Sequence, residues 1–140
     1  MRSHGDLVEA ADLTVQVAED YQHLLGDDHP NTVGVQGNLG LVRWRLGDHA
    51  EAGRLVEQAL RGMTAALGAD HPWTLGCALN AAAVRRLSGR PEEAAALRED
   101  TLRRARGAVD EGHPLLLACL GALTTEADEP PGWDFEPQPI

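Results

Sequence analysis

The stretch LGDDHP, residues 25–30, returns as LGADHP at 67–72 and more loosely as VDEGHP at 109–114. The three His-Pro pairs begin at 29, 71 and 113, so two equal steps of 42 residues separate them. A fixed period of this length is typical of a solenoid, in which each unit stacks on its neighbours. Other residues keep the same step, namely Gly5, Gly47 and Gly89; Ala10, Ala52 and Ala94; and Asn38 and Asn80.

The residue pattern within each unit predicts two helices joined by a short turn. The proline after each histidine suits the first turn of a helix, because its missing N–H needs no partner there. Glycines such as Gly47 and Gly68 suit the exits, because glycine tolerates a positive φ. We therefore predict an all-α solenoid of about two full units, with a half-unit at each end. The six predicted helices span 6–25, 31–46, 49–67, 73–88, 91–107 and 114–125.

The repeat resembles the tetratricopeptide repeat, because several small residues keep that family's register at once. The 42-residue period and the LGxDHPxT linker look like the kinesin-light-chain type, which is common in bacterial regulatory proteins. The resemblance covers about residues 5–125 and implies a right-handed array that binds proteins or peptides. The family's usual aromatic residue is replaced here by Arg43 and Arg85. The matching segments are Asn38-Leu39-Gly40, Gly47-Asp48, Ala52 and Ala59-Leu60 in one unit, and Asn80-Ala81-Ala82, Gly89, Ala94 and Leu102 in the next.

Residues 126–140, EADEPPGWDFEPQPI, break the period. Four prolines and five acidic residues predict an extended or disordered tail, so we assign the helical array to 1–125 and the tail to 126–140. Trp133, Asp134 and Phe135 form a candidate recognition motif, because a purely solubilising tail needs no aromatic anchors. Four alternatives stay open: the motif binds a partner, folds back onto the array, or is the substrate of a peptide-modifying enzyme that docks on the array, or the tail only solubilises the end of the array.

The composition argues against several classes of partner and location. The formal net charge is −10, and all twelve basic residues are arginine. An acidic chain without a basic stripe disfavours binding to nucleic acid or to an anionic membrane. The sequence contains no apolar run of 18 residues, so we predict no transmembrane helix. Two cysteines are too few for a disulfide framework, so we expect a soluble protein of the cytoplasm.

The Asp-His-Pro loops raise the alternative of a metal site. A metal site needs three or four converging ligands, whereas these histidines lie one repeat apart along the array. We predict instead that Asp or His caps the free N–H groups at a helix start. Cys77 and Cys119 occupy equivalent positions and suit small buried apolar sites. The sequence holds no GxSxG, HExxH or CxxC motif, so we predict no catalytic residue, cofactor or metal.

The concave groove is the candidate binding site that the family resemblance implies. Asn38 and Asn80 match the asparagine that often bonds a ligand backbone, since an amide both donates and accepts. Arg45 and Arg86 are expected to pair with a carboxylate of the ligand. Alternatively, the asparagines only tie adjacent helices. The half-units at the array ends also predict self-association or docking on a partner. The predicted groove residues are Asn38, Leu41, Trp44, Arg45, Asn80, Ala83 and Arg86, of which Trp44 is alternatively a core residue.

Overall fold

A computed structural model describes residues 4–110 and 112–113 of the chain, without the side chains of His4 and Leu7. This part of the chain forms five helices and no strand, which confirms five of the predicted helices to within two residues at each end. The sixth predicted helix, at 114–125, and the tail at 126–140 lie outside the described residues. The helices are α1 His4–Leu25, α2 Pro30–Arg45, α3 His49–Leu67, α4 Pro72–Leu87 and α5 Pro91–Ala108.

The Asp-His-Pro loops begin helices, as the sequence predicts. Nδ1 of His29 accepts a hydrogen bond from the Asn31 N–H at 3.1 Å, and Nδ1 of His71 accepts one from the Trp73 N–H at the same distance. Each histidine thereby satisfies a donor that the helix leaves free. Glycines with positive φ follow the ends of four helices, where the turn requires a conformation that other residues rarely adopt. They are Gly26, Gly47, Gly68 and Gly89, with φ between 84° and 91°.

The helices form two layers. We call α2 and α4, which follow a His-Pro pair, the first helices, and α1, α3 and α5 the second helices. Each helix packs on the next in the chain, and α2 also contacts α4. Among the described residues, no second helix approaches another second helix within 8 Å between Cα atoms. The first helices therefore form the closely spaced inner layer, and the second helices spread apart on the outside.

Small residues allow the close approach of α2 to α3. A Cβ atom at Gly40 would lie 3.0 Å from Cγ1 of Val56 and 3.3 Å from the Ala52 carbonyl oxygen. Gly37 approaches Ala59 in the same way, at 3.2 Å. Glycine at these two positions thus lets the two helices approach closely. Two apolar clusters fill the spaces around this contact, with buried members Ala18, Val33, Val35, Ala59, Met63 and Cys77 in one and Leu41, Trp44, Ala52, Val56, Ala81 and Val84 in the other.

An ion pair joins the two repeats at a position where the sequence departs from the family pattern. The guanidinium of Arg85 donates two hydrogen bonds to the Glu57 carboxylate, at 2.6 and 2.7 Å. Hydrogen bonding to Glu57 raises the pKa of the Arg85 guanidinium. One repeat earlier, Arg43 stands in the place of Arg85, but Val15 stands in the place of Glu57. The junction between α1 and α2 therefore lacks the acidic partner that this bridge between α3 and α4 requires.

Candidate functional site

The orientation of α2 determines which of its side chains face the inner surface. Gln36 lines a cleft together with Gln22 of α1 and Gln58 of α3, so this side of α2 faces the second helices. Asn38 and Arg45 follow Gln36 by two and nine residues, which places each about half a turn away from it. Both side chains are half-buried. They therefore share the inner side of α2, about two helical turns apart.

Leu41 does not line this surface. Its side chain is 0% exposed and packs in the core with Val56 of α3 and with Ala81 and Val84 of α4. The prediction that Leu41 contacts a ligand is thus corrected. The position stabilises the junction between α2 and α4, because an apolar side chain that fills this space is removed from water on every side.

Trp44 also points away from the inner surface, and Arg86 is not the repeat counterpart of Arg45. Trp44 is 7% exposed, and its ring stacks on His49 at the start of α3, with ring centroids 3.9 Å apart. The alternative interpretation, that Trp44 is a core residue, is therefore the right one. Arg86 stands one repeat after Trp44, whereas the residue one repeat after Arg45 is Leu87. Arg45 and Arg86 thus do not occupy equivalent positions, and the two guanidinium groups do not form one repeated site.

The predicted groove residues of α4 are more buried than Asn38 and Arg45 of α2. Asn80 is 5% exposed and Ala83 is 6% exposed, within a run of buried residues from Thr74 to Val84. Asn38, Asn80 and Arg86 each have an interaction partner already. A ligand would therefore reach Asn38 and Arg45 more readily than Asn80 and Ala83. The alternative role of the asparagines, which is to tie adjacent helices, stays a prediction.

Arginine is the only charged residue type in the first helices, whereas the second helices differ from one another in charge. The first helices contain Arg43, Arg45, Arg85 and Arg86 and no acidic residue. The second helix α1 contains five acidic residues and no arginine, whereas α3 and α5 each contain equal numbers of arginine and acidic residues. Part of the arginine content of the first helices stabilises these helices themselves, because all four arginines lie in a last turn, next to free carbonyl groups. A count of charges per helix reveals this basic character of the first helices from the sequence.

The described residues show neither a metal-ligand cluster nor a reactive thiol. No group of three or more His, Cys, Asp or Glu side chains within them could hold a metal ion. Burial raises the pKa of Cys77 to about 12, which keeps this thiol protonated and unreactive. Within the same part of the chain, none of the helices combines the length and apolar character that a membrane crossing needs.

Two helical layers, glycine exits and a 42-residue period describe a repeat array, and a comparison with protein families identifies it. The family model for the tetratricopeptide repeat matches residues 2–63 and again residues 32–107, together more than half of the chain. The chain belongs to the tetratricopeptide-repeat family. Repeats of this family generally mediate interactions between proteins and serve as non-catalytic scaffolds. No curated protein matches this tetratricopeptide-repeat chain.

Proposed function

We propose that this tetratricopeptide-repeat protein is a non-catalytic scaffold that binds a protein or peptide segment along its inner face. The inner face is defined here by Asn38 and Arg45 of α2 and by the neighbouring surface of α4. The repeat period supports the kinesin-light-chain type. A bacterial origin, a cytoplasmic location and the absence of a cofactor stay predictions from the sequence.

The observation that carries this proposal is the charge of the first helices. They bear four arginines and no acid in a chain whose net charge is −10. Arg85 is neutralised by Glu57, but Arg45 lies on the opposite side of its helix from the second helices. A guanidinium forms paired hydrogen bonds with a carboxylate, which favours an acidic ligand segment.

Asn38 supplies the second group that such a ligand needs. It lies about two helical turns from Arg45 on the same side of α2, and its amide both donates and accepts hydrogen bonds. An extended peptide exposes one N–H and one C=O per residue, so the amide suits the ligand backbone. Arg45 then selects an acidic side chain or the terminal carboxylate. Backbone binding and charge selection are thus assigned to two different residues.

A selection of random peptides against the full-length protein tests this function. We expect enrichment of sequences that contain Asp or Glu. Arg45→Glu should then weaken the binding of a selected peptide about 10- to 100-fold, because a charge-assisted hydrogen bond contributes about 1.5–3 kcal/mol. Arg61→Glu is the matched control, since it changes the net charge equally at an exposed site on α3. Equal effects of the two variants would contradict the proposal.

The alternative proposal is that the array is a docking handle for its own tail. Two of the five aromatic residues of the chain, Trp133 and Phe135, lie in the acidic tail on either side of Asp134. This tail lies outside the described residues, so the sequence alone supports the alternative. Deletion of 126–140 distinguishes the two functions. Peptide binding that survives the deletion supports the inner face, whereas a mass change on Trp133 or Phe135 in protein from its native source supports modification by an enzyme.

A further inference from the structure

A polar cleft opens where α1, α2 and α3 meet, on the side of α2 that faces the second helices. Its volume is about 420 Å³, which is within the range of sites that hold small ligands. The walls that the structure describes include the carboxylates of Asp27 and Asp28 and the amides of Gln22, Gln36 and Gln58, but no arginine or histidine. We call this space the acidic cleft.

One repeat later, the equivalent positions bind an arginine. Nη1 of Arg104 lies 2.7 Å from Oδ1 of Asp70, and Nε of Arg104 lies 2.9 Å from Oδ2 of Asp100. A single guanidinium thus joins a carboxylate of the loop to a carboxylate of the second helix. The repeat step of 42 residues relates Asp70, Asp100 and Arg104 to Asp28, Gln58 and Gly62 of the acidic cleft, respectively.

The acidic cleft keeps the two negative charges of this arrangement but lacks the cation. Asp28 is retained, and its neighbour Asp27 supplies the charge that the neutral Gln58 does not. Gln22 donates a hydrogen bond to one oxygen of Asp27, whereas the Asp28 carboxylate has no partner among the described residues. Two adjacent carboxylates repel each other, so a cation between them is favoured.

The described part of the chain does not supply this cation itself. A Cβ atom at Gly62 would lie 3.2 Å from both Cγ atoms of Val33, so α3 lies too close to α2 for a side chain to project from position 62 without a shift. Arg54 donates one hydrogen bond to the Gln58 amide, but two hydrogen bonds to Glu51 hold its guanidinium along α3. The cation therefore has to come from another molecule.

We propose that the acidic cleft binds an arginine side chain of a partner protein, in the place that Arg104 occupies one repeat later. A guanidinium is planar and carries paired donors, so it can bond two carboxylates at once, whereas a lysine ammonium is a single point charge. The site does not depend on the inner face, because it lies on the other side of α2 and selects the opposite charge.

Nuclear magnetic resonance of the ¹⁵N-labelled full-length chain tests this site with three blocked peptides of the form Gly-X-Gly, in which X is arginine, lysine or citrulline. We expect the arginine peptide to shift the side-chain amides of Gln22 and Gln58 in a saturable manner. The lysine peptide should bind several-fold more weakly, and the neutral citrulline peptide should not bind. The lysine peptide also controls for the general attraction of a cation to a chain of net charge −10.

Asp28→Asn should weaken the binding of the arginine peptide several-fold, because it removes the unpartnered carboxylate. Asp12→Asn is the matched control, since it changes the net charge equally at an exposed site about 15 Å along α1 from Gln22. Equal affinities for the arginine and lysine peptides, equal effects of the two variants, or no shifts at all would overturn the proposal.

Arg104→Ala tests the argument from the repeat. The Arg104 side chain is 35% exposed and alanine favours a helix, so the variant should stay folded. Its loss frees Asp70, while Asp100 keeps its contact with Arg103. We expect the arginine peptide to shift the backbone amides of Asp70 and Asp100 in this variant but not in the natural protein. No gain of binding there would overturn the assignment of a guanidinium to the equivalent cleft.

Dilution of the natural protein without peptide distinguishes two sources of the arginine. We expect the resonances of Asp28 and Gly62 to stay unchanged, because the partner is a different protein. Shifts of these resonances on dilution would assign the cleft to an arginine of a second copy of this chain, and would overturn the proposed partner.

Discussion

The close crossing of α2 and α3 can be tested by adding one methyl group at Gly40. A Cβ there would lie 3.0 Å from Cγ1 of Val56, 3.1 Å from Cβ of Leu55 and 3.3 Å from the carbonyl oxygen of Ala52. The last of these atoms is backbone and moves only with the helix. Gly53, inside α3, is the matched control, because no atom outside its own helix lies within 4 Å of the corresponding Cβ position.

The two substitutions share one energetic contribution and differ in another. Replacing an interior helical glycine by alanine stabilises the helix by about 1 kcal/mol, and this gain applies at both positions. Overpacking a tight contact costs about 1–3 kcal/mol, and this cost applies only at Gly40. We therefore expect Gly53→Ala to stabilise the protein by about 1 kcal/mol, and Gly40→Ala to destabilise it by up to about 2 kcal/mol. The difference between the variants isolates the packing cost.

Urea unfolding of the full chain, followed by circular dichroism, measures this difference. We expect the midpoint of Gly40→Ala to lie below that of Gly53→Ala, with unchanged slopes, because neither variant alters the surface exposed on unfolding. A variant Gly40→Ala that is as stable as Gly53→Ala would refute the reasoning. The two helices would then be able to separate by a few tenths of an ångström without loss of packing.

Three further predictions concern the junctions and the core. Glu57→Gln should lower the free energy of unfolding by about 1–2 kcal/mol, because it weakens an ion pair with Arg85 whose side chains are only 22–23% exposed. Glu51→Gln, in the exposed pair with Arg54, should lower it by about 0.5 kcal/mol or less. Urea unfolding of the two variants compares these losses. His71→Ala removes a helix cap and should cost about 0.5–2 kcal/mol in the same assay, and no loss would show that solvent replaces the cap. In a Cys119→Ser background, Cys77 should resist alkylation at about pH 8 in the native protein and react once the protein is unfolded, because burial raises the pKa of its thiol to about 12. Equal labelling rates in the native and the unfolded protein would contradict its burial.

Local patterns predicted the helices well, because the signals act over a few residues. The His-Pro pairs begin α2 and α4 through contacts two residues along the chain, and the glycines end helices through their own φ. Neither signal requires a tertiary contact. The predicted boundaries therefore agree with the structure to within two residues.

The candidate site was predicted less well, because spacing along a helix does not determine how the helix is rotated in the array. The three- to four-residue spacing placed Leu41 and Trp44 with Arg45, but such spacing covers a wide arc of a helix. Because α2 packs against α3 and α4, the side chains of Leu41 and Trp44 lie in the core. Arg86 follows Arg45 by 41 residues, one short of the repeat step, so the two arginines do not occupy equivalent positions.

The sequence by itself determined the period, the five described helices, their caps and exits, and the family. These properties are local or repeat at a constant step, so one chain contains enough information to infer them. Only the tertiary structure decided which side of α2 faces inward, that Glu57 pairs with Arg85, and that Leu13 is exposed where Leu55 is buried. These properties depend on which helix lies next to which, and at what rotation. The packing of neighbouring helices sets both.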